Sequence, residues 1–127
     1  MSKVAIKGVL SGLAFLFLIP FSGQTEEIAF NGTRMQATII DVRMPQEFAA
    51  GHITGALNIP VERIESAIGE VKGLSKESPI LLYCRSGRRS AIARVLLERQ
   101  GYRNVLDGGG IESLARSIKI CTVQQPC

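Results

Sequence analysis

Two short runs, ATIIDV at residues 37–42 and PILLYC at residues 79–84, are apolar and β-branched, with no polar alternation. A strand with one face in water alternates polar with apolar residues, so a strand that does not is covered on both faces. That is the setting of a parallel sheet packed between helices. Breakers bound both runs, Met44-Pro45 beyond the first and Arg85-Ser86-Gly87 beyond the second. Ala56–Ile59 and Asn104–Leu106 are shorter strand candidates.

Helical stretches lie between these strands. Pro45–Ala50 opens with proline at a favoured first-turn position and stops at Gly51. Val61–Val71 places Ile64, Ile68 and Val71 on one face. Ser90–Gln100 is the best patterned: Ile92, Val95 and Leu96 fall at i, i+3 and i+4, Arg94 and Glu98 form an i,i+4 pair, and Gly101 follows the end. A last short helix is expected over Ile111–Ser117. Strands alternating with helices, without internal repeat or linker, predict a single α/β domain with a mostly parallel central sheet flanked by helices.

Residues 1–23 read as an address and residues 24–127 as the domain. Lys3 and Lys7 precede an almost wholly apolar stretch from Gly8 to Phe21, and the chain then turns polar. A basic start, a short apolar run and small residues beyond it make a secretory signal peptide. The run is shorter than the roughly 20 residues of a membrane span, and Pro20 interrupts it. The expected location is therefore periplasmic or secreted, with no stable membrane insertion after cleavage. The remaining 104 residues carry 13 basic and 11 acidic side chains in no long basic run, so nucleic acid is not an expected partner. Three cysteines without a C-x-x-C pair make neither a disulfide scaffold nor a zinc site, and no metal is expected.

The chemistry concentrates at Cys84. It ends the ILLY strand and opens the loop Cys84-Arg85-Ser86-Gly87-Arg88-Arg89, which leads into a helix. In open α/β sheets, ligands bind beyond the carboxyl ends of strands. Arg85, Arg88 and Arg89 put three cations within five residues of the sulfur. Cations at a helix N-terminus oppose its macrodipole, and such violations of a local rule mark functional sites. Successive backbone N–H groups entering a helix form an anion cradle, and Ser86 and Gly87 allow the tight turn. Together these groups favour thiolate at Cys84 and make it a nucleophile.

Four stretches resemble the rhodanese homology domain, in that family's order. They are Asp41-Val42-Arg43 followed by Glu47-Phe48; Gly51-His52-Ile53-Thr54-Gly55-Ala56-Leu57-Asn58-Ile59-Pro60; Tyr83-Cys84 with its loop; and Gly101-Tyr102-Arg103-Asn104-Val105 leading to Gly108-Gly109-Gly110. The resemblance implies a rhodanese-like fold and transfer of a sulfane sulfur from thiosulfate to a thiol or cyanide acceptor through a persulfide. Carried over residue by residue, Cys84 is the persulfide former, and the loop from Arg85 through Ser86, Gly87 and Arg88 to Arg89 holds the substrate. No cofactor is implied, because sulfur itself is the carried group. The chain departs from the family in having no tryptophan after the glycines, where Glu112-Ser113-Leu114 stands.

Two alternatives accompany this reading. A phosphatase or arsenate-reductase-like cysteine enzyme needs Cys, five residues, then Arg, but Ser90 occupies that place and Arg89 comes one position early. A non-catalytic rhodanese-like binding module is the other alternative, and such modules commonly lack the cysteine. Asp41 and Arg43 are expected to form a supporting ion pair at the strand end. His52 is expected to serve a turn, and Gly108–Gly110 a close backbone approach to the pocket. Cys121 and Cys127, outside the resemblance, are expected to pair in an oxidising compartment, leaving Cys84 as the free thiol.

Overall fold

The computed structural model describes residues 24–127, so the expected signal peptide over residues 1–23 lies outside the described residues. In chain order the elements are β1 (Glu26–Phe30), β2 (Thr33–Asp41), α1 (Pro45–Ala50), β3 (Leu57–Asn58), α2 (Ile64–Ala67), β4 (Ile80–Cys84), α3 (Arg88–Arg99), β5 (Val105–Gly110), α4 (Ile111–Ser117) and β6 (Ile118–Ile120). Short 3-10 turns at Val61–Arg63 and Ile68–Glu70 flank α2, so the helix expected over Val61–Val71 is three tight segments. Ile64, Ile68 and Val71 are nonetheless all buried, as their spacing requires.

The sheet runs β5-β4-β2-β1-β6, with β3 beside the end of β2. Its centre is parallel: β2 pairs with β3 and β4, and β4 with β5. The far edge is antiparallel, because β1 pairs with β2 and then with β6. A two-residue turn makes the first hairpin, with Asn31 at φ 50° and Gly32 at φ 77° between Phe30 and Thr33. Positive φ at both positions matches the right-handed twist of the flanking strands.

The central strands are buried on both faces. Ile40, Leu82 and Cys84 face one cluster with Ile64, Ile68, Ala93 and Leu97. Ile39, Leu81 and Tyr83 face the other, with Ile28, Phe30 and Leu114. Leu114 is fully buried, so an aliphatic side chain packs in the segment after the glycines where no tryptophan stands.

The face of α3 corrects the sequence expectation. Its buried residues are Ser90, Ala93 and Leu97, while Ile92 and Val95 remain 48% and 44% exposed and Leu96 is only partly buried. The stripe is rotated because the side chain buried in the first turn is the hydroxyl of Ser90, and the helix lies on the sheet through small Ala93.

Candidate active site

Strand β4 delivers Cys84 to the carboxyl edge of the parallel sheet, and α3 begins four residues later. Between them the chain turns through Gly87, which caps α3 at φ 100°, a region open to glycine but costly for other residues. The turn folds the loop over the sulfur, and Gly87 N–H donates to Cys84 Sγ at 3.0 Å. Ser90, in the first turn of α3, places its Oγ 3.6 Å from the same sulfur. Cys84 is 1% exposed, so these groups surround a buried atom. Burial pushes the Cys84 thiol up, but the Ser90 N–H and hydroxyl and the Gly87 and Ser86 N–H groups outweigh it, holding the thiol below its usual range.

The glycines after β5 close the cradle from the other side. The β4–β5 register runs Leu82 to Asp107 and then Cys84 to Gly110, so β5 carries an extra residue at a bulge beside the sulfur. A Cβ on Gly110 would stand 2.6 Å from the Arg85 carbonyl oxygen, so only glycine allows this approach. The expected role of Gly108–Gly110 as a close backbone turn against the pocket agrees with this geometry.

The loop arginines divide. Arg85 and Arg88 are exposed and enter no ion pair among the described residues. Arg89 instead reaches α1, with Nη1 on Glu47 Oε1 at 2.8 Å and Nη2 on Oε2 at 3.1 Å. Its hydrogen bond to Glu47 raises the Arg89 pKa, and the negative charge of Cys84 adds to the shift. Between α1 and the loop lies a cleft of about 410 Å³, lined by Arg43, Glu47, Ala50, Arg85, Ser86, Ile111 and Glu112. Ser86 thus lies between the buried sulfur and the open cleft.

Asp41 and Arg43 support the site from β2. Arg43 Nε donates to Asp41 Oδ1 at 2.9 Å and Nη2 to Oδ2 at 2.7 Å, with both side chains almost fully buried. Arg43 Nη2 also donates to the Gly51 carbonyl at 2.7 Å, fastening the end of α1, and the guanidinium lies 5.7 Å from the Tyr83 ring centre. Burial keeps the Tyr83 phenol above its usual range, and its oxygen accepts Ile53 N–H at 2.9 Å. The pair thus joins β2, α1 and β4 just behind the loop. His52 is exposed, stacks on Phe48 at 3.7 Å and donates from Nδ1 to the Phe48 carbonyl at 2.9 Å, serving the turn.

Three contributors escaped the sequence reading. Asn58 donates to the Asp41 and Arg43 carbonyls at 3.0 and 2.9 Å, holding the end of β2. Ser90 Oγ lies 2.7 Å from Asp107 Oδ1, which also accepts Gly109 N–H at 2.9 Å. Ser90 was recognisable as the residue standing where a phosphatase loop has arginine. Asp107 carried no local signal beyond preceding the glycines.

Comparison with known proteins agrees with this geometry. The rhodanese-like domain family matches residues 26–114, which takes in every element from β1 to the middle of α4. The chain belongs to the rhodanese-like domain family. The domain is 34% identical over 76 residues to the thiosulfate sulfurtransferase PspE of Escherichia coli (strain K12), covering 60% of this chain and 72% of that protein. It is 35% identical over 96 residues to the uncharacterized protein YqhL of Bacillus subtilis (strain 168), covering 75% of this chain and 73% of that one. Among solved structures, a rhodanese with anions from E. coli superposes with a TM-score of 0.59 at 31% identity, covering 65% of this chain and 96% of that one. The human single-domain sulfurtransferase TSTD1 gives 0.54 at 32% identity, covering 64% and 83%. This rhodanese-like domain therefore has sulfurtransferases among its relatives and keeps a cysteine at the loop. Among its described residues, no helix is long and apolar enough to cross a membrane and no His, Cys, Asp and Glu cluster could hold a metal ion.

Proposed function

We propose that this chain is a thiosulfate sulfurtransferase that carries sulfur as a persulfide on Cys84. The observation that carries the reading is the buried Cys84 sulfur, under a loop whose Gly87 N–H points at it and whose Arg85 and Ser86 line the neighbouring cleft. Thiosulfate is a dianion, and exposed Arg85 and Arg88 attract it into the cleft. Cys84 thiolate attacks the outer sulfur, the bond between the two thiosulfate sulfurs breaks, and sulfite leaves with the electron pair. The persulfide then rests against the loop N–H groups, which favour negative charge. A thiol or cyanide acceptor attacks the outer sulfur, and Cys84 leaves again as thiolate. This is two-step covalent catalysis with ping-pong kinetics expected.

The same proposal places the protein in the periplasm or outside the cell. Support comes from the basic-then-apolar start of the chain and from the bond joining Cys121 to Cys127, a linkage that persists in oxidising compartments.

The test is release of sulfite and thiocyanate from thiosulfate plus cyanide, comparing the wild type with Cys84→Ser. Turnover should vanish in the variant, and the wild-type mass should rise by one sulfur atom with thiosulfate and return with cyanide. Undiminished turnover by Cys84→Ser, or no mass gain in the wild type, overturns the reading.

A further inference from the structure

Three polar neighbours, two acceptors and the sulfur itself, surround one hydroxyl beside Cys84. Ser90 Oγ is 2.7 Å from Asp107 Oδ1, 3.1 Å from the Gly87 carbonyl oxygen and 3.6 Å from Cys84 Sγ. A serine hydroxyl carries one hydrogen, whereas a carboxylate and a carbonyl can only accept. The Asp107 contact is the shortest and is charge-assisted, and such bonds are roughly twice as strong as neutral ones. The hydrogen therefore rests on Asp107, and Ser90 turns an oxygen lone pair towards the sulfur. A lone pair suits a thiol, whose S–H can donate to it, and opposes a thiolate, which needs the hydrogen for itself.

The surroundings hold Asp107 in this role. Asp107 is paired across the sheet with Leu82, so it shares the face that also carries Cys84. Gly109 N–H holds the same Oδ1 at 2.9 Å, which keeps the carboxylate from swinging away. Ser90 is fully buried, so its hydroxyl is shielded from water. Other charged groups around the site are Arg85 on the loop, Arg88 and Arg89 on α3, Glu47 on α1, Asp41 and Arg43 on β2, and Glu112 on α4. None of them hydrogen-bonds Cys84 or Ser90.

We propose that Asp107 is a positioning residue for Cys84, deciding whether the Ser90 hydroxyl points to its own carboxylate or to Cys84 Sγ. At rest the hydroxyl is held back, and the backbone N–H groups around the sulfur favour its negative form. When the sulfur becomes negative, as thiolate or persulfide, the hydroxyl turns to it and Asp107 keeps its bond to Gly109. The proposal rests on Cys84 being the reacting sulfur, yet its test needs no sulfur donor.

The measurement is the pH dependence of Cys84 alkylation by iodoacetamide in unreduced protein, with the modified residue located by mass. Five variants decide it: Asp107→Ala, Asp107→Asn, Ser90→Ala, and each Asp107 change combined with Ser90→Ala. Asp107→Ala should raise the thiolate fraction about tenfold at a fixed pH below the midpoint, which is one unit of midpoint shift. Asp107→Asn should act in the same direction but less, because its amide oxygen still accepts both bonds as a neutral group. With Ser90→Ala already present, either change should move the fraction less than about threefold, since coupling through a shared partner is then gone. Equal shifts with and without the Ser90 hydroxyl would mean that the carboxylate acts only through its charge, and would overturn the proposal. So would an unchanged or raised midpoint. Circular dichroism checks folding, and if Asp107→Ala unfolds, the Asp107→Asn comparison alone decides. Sulfite release measured in parallel separates failure of this proposal from failure of the sulfurtransferase reading.

Discussion

Arg89 grips Glu47 with both terminal guanidinium nitrogens, at 2.8 and 3.1 Å, and so ties the start of α3 to α1. Glu47 Oε1 also accepts Met44 N–H at 3.1 Å, which fixes the carboxylate at the start of its own helix. Arg89 is thus a strut whose charge is already matched. The unmatched positive charge of the loop belongs to Arg85 and Arg88.

Substrate capture should follow that division. Arg85→Gln or Arg88→Gln should raise the KM for thiosulfate about two- to fivefold with little change in kcat, because exposed cations here guide a dianion rather than touch the reacting bond. Added salt should reproduce the change in the wild type, since exposed charges are screened over about 10 Å at 0.1 M. Steady-state kinetics across ionic strength check this; a KM independent of salt would count against steering.

The strut sets a pH limit on stability. Arg89, by its hydrogen bond, holds the Glu47 carboxyl down to about 2 from an ordinary 4.5. A group depressed on folding stabilises the native state above its unfolded pKa and loses that contribution as pH falls through the folded value. The loss therefore runs from about 4.5 to about 2. Both side chains are more than a quarter exposed, so solvent screening leaves a contribution of about 1 kcal/mol. Urea unfolding of Glu47→Gln should show that deficit at pH 7 and close on the wild type near pH 2. A constant deficit across the range would assign the effect to packing instead.

The buried pair behind the loop should be far less tolerant. Asp41 is fully buried and Arg43 is 7% exposed, so removing the arginine strands a carboxylate with no water to turn to. Breaking such a pair costs about 3–5 kcal/mol. Arg43→Ala also loses the bond to the Gly51 carbonyl that anchors α1. Denaturant midpoints check this, and Arg43→Lys should recover only part of the loss because one ammonium cannot reproduce the fork. A cost below about 1 kcal/mol for Arg43→Ala would show that water or another cation takes the place.

Much of this architecture was legible because its cues are local. Pro45 and Gly51 bracket α1, and the unbroken apolar runs identify β2 and β4 as strands covered on both faces. The first strand was missed although Asn31-Gly32 is a strong hairpin turn, because Glu26-Glu27 begins it without an apolar run. Strand β6 is three residues long and exists only through pairing with β1. The rotated face of α3 shows a different limit. Hydropathy assigns the interior to Ile92 and Val95, but Ser90 is buried to serve Asp107 and Cys84, and a hydroxyl buried for its partners looks like a surface residue in the sequence. Asp107 acts through a strand register and a bulge, neither of which is visible along the chain.

The bond between Cys121 and Cys127 should be dispensable for turnover. It lies beyond β6, where Cys121 N–H donates to the Glu27 carbonyl at 2.8 Å and continues the β1–β6 edge. Strands β2 and β1 stand between β6 and β4, which at about 4.8 Å per strand separates the bridge from the strand of Cys84 by about 14 Å. At that remove the two sulfurs are not set to exchange with a persulfide on Cys84 within one molecule. Their role is to pin the tail, and so short a loop constrains the unfolded chain by only about 2 kcal/mol. Thiol titration in denaturant should find one free thiol, Cys84, in unreduced protein and three after reduction. The double variant Cys121→Ser/Cys127→Ser should unfold at lower temperature yet keep its kcat, because β1, β2 and the loop remain in place. Three free thiols before reduction would refute the bridge. A double variant that folds but no longer transfers sulfur would give these cysteines a part in the chemistry.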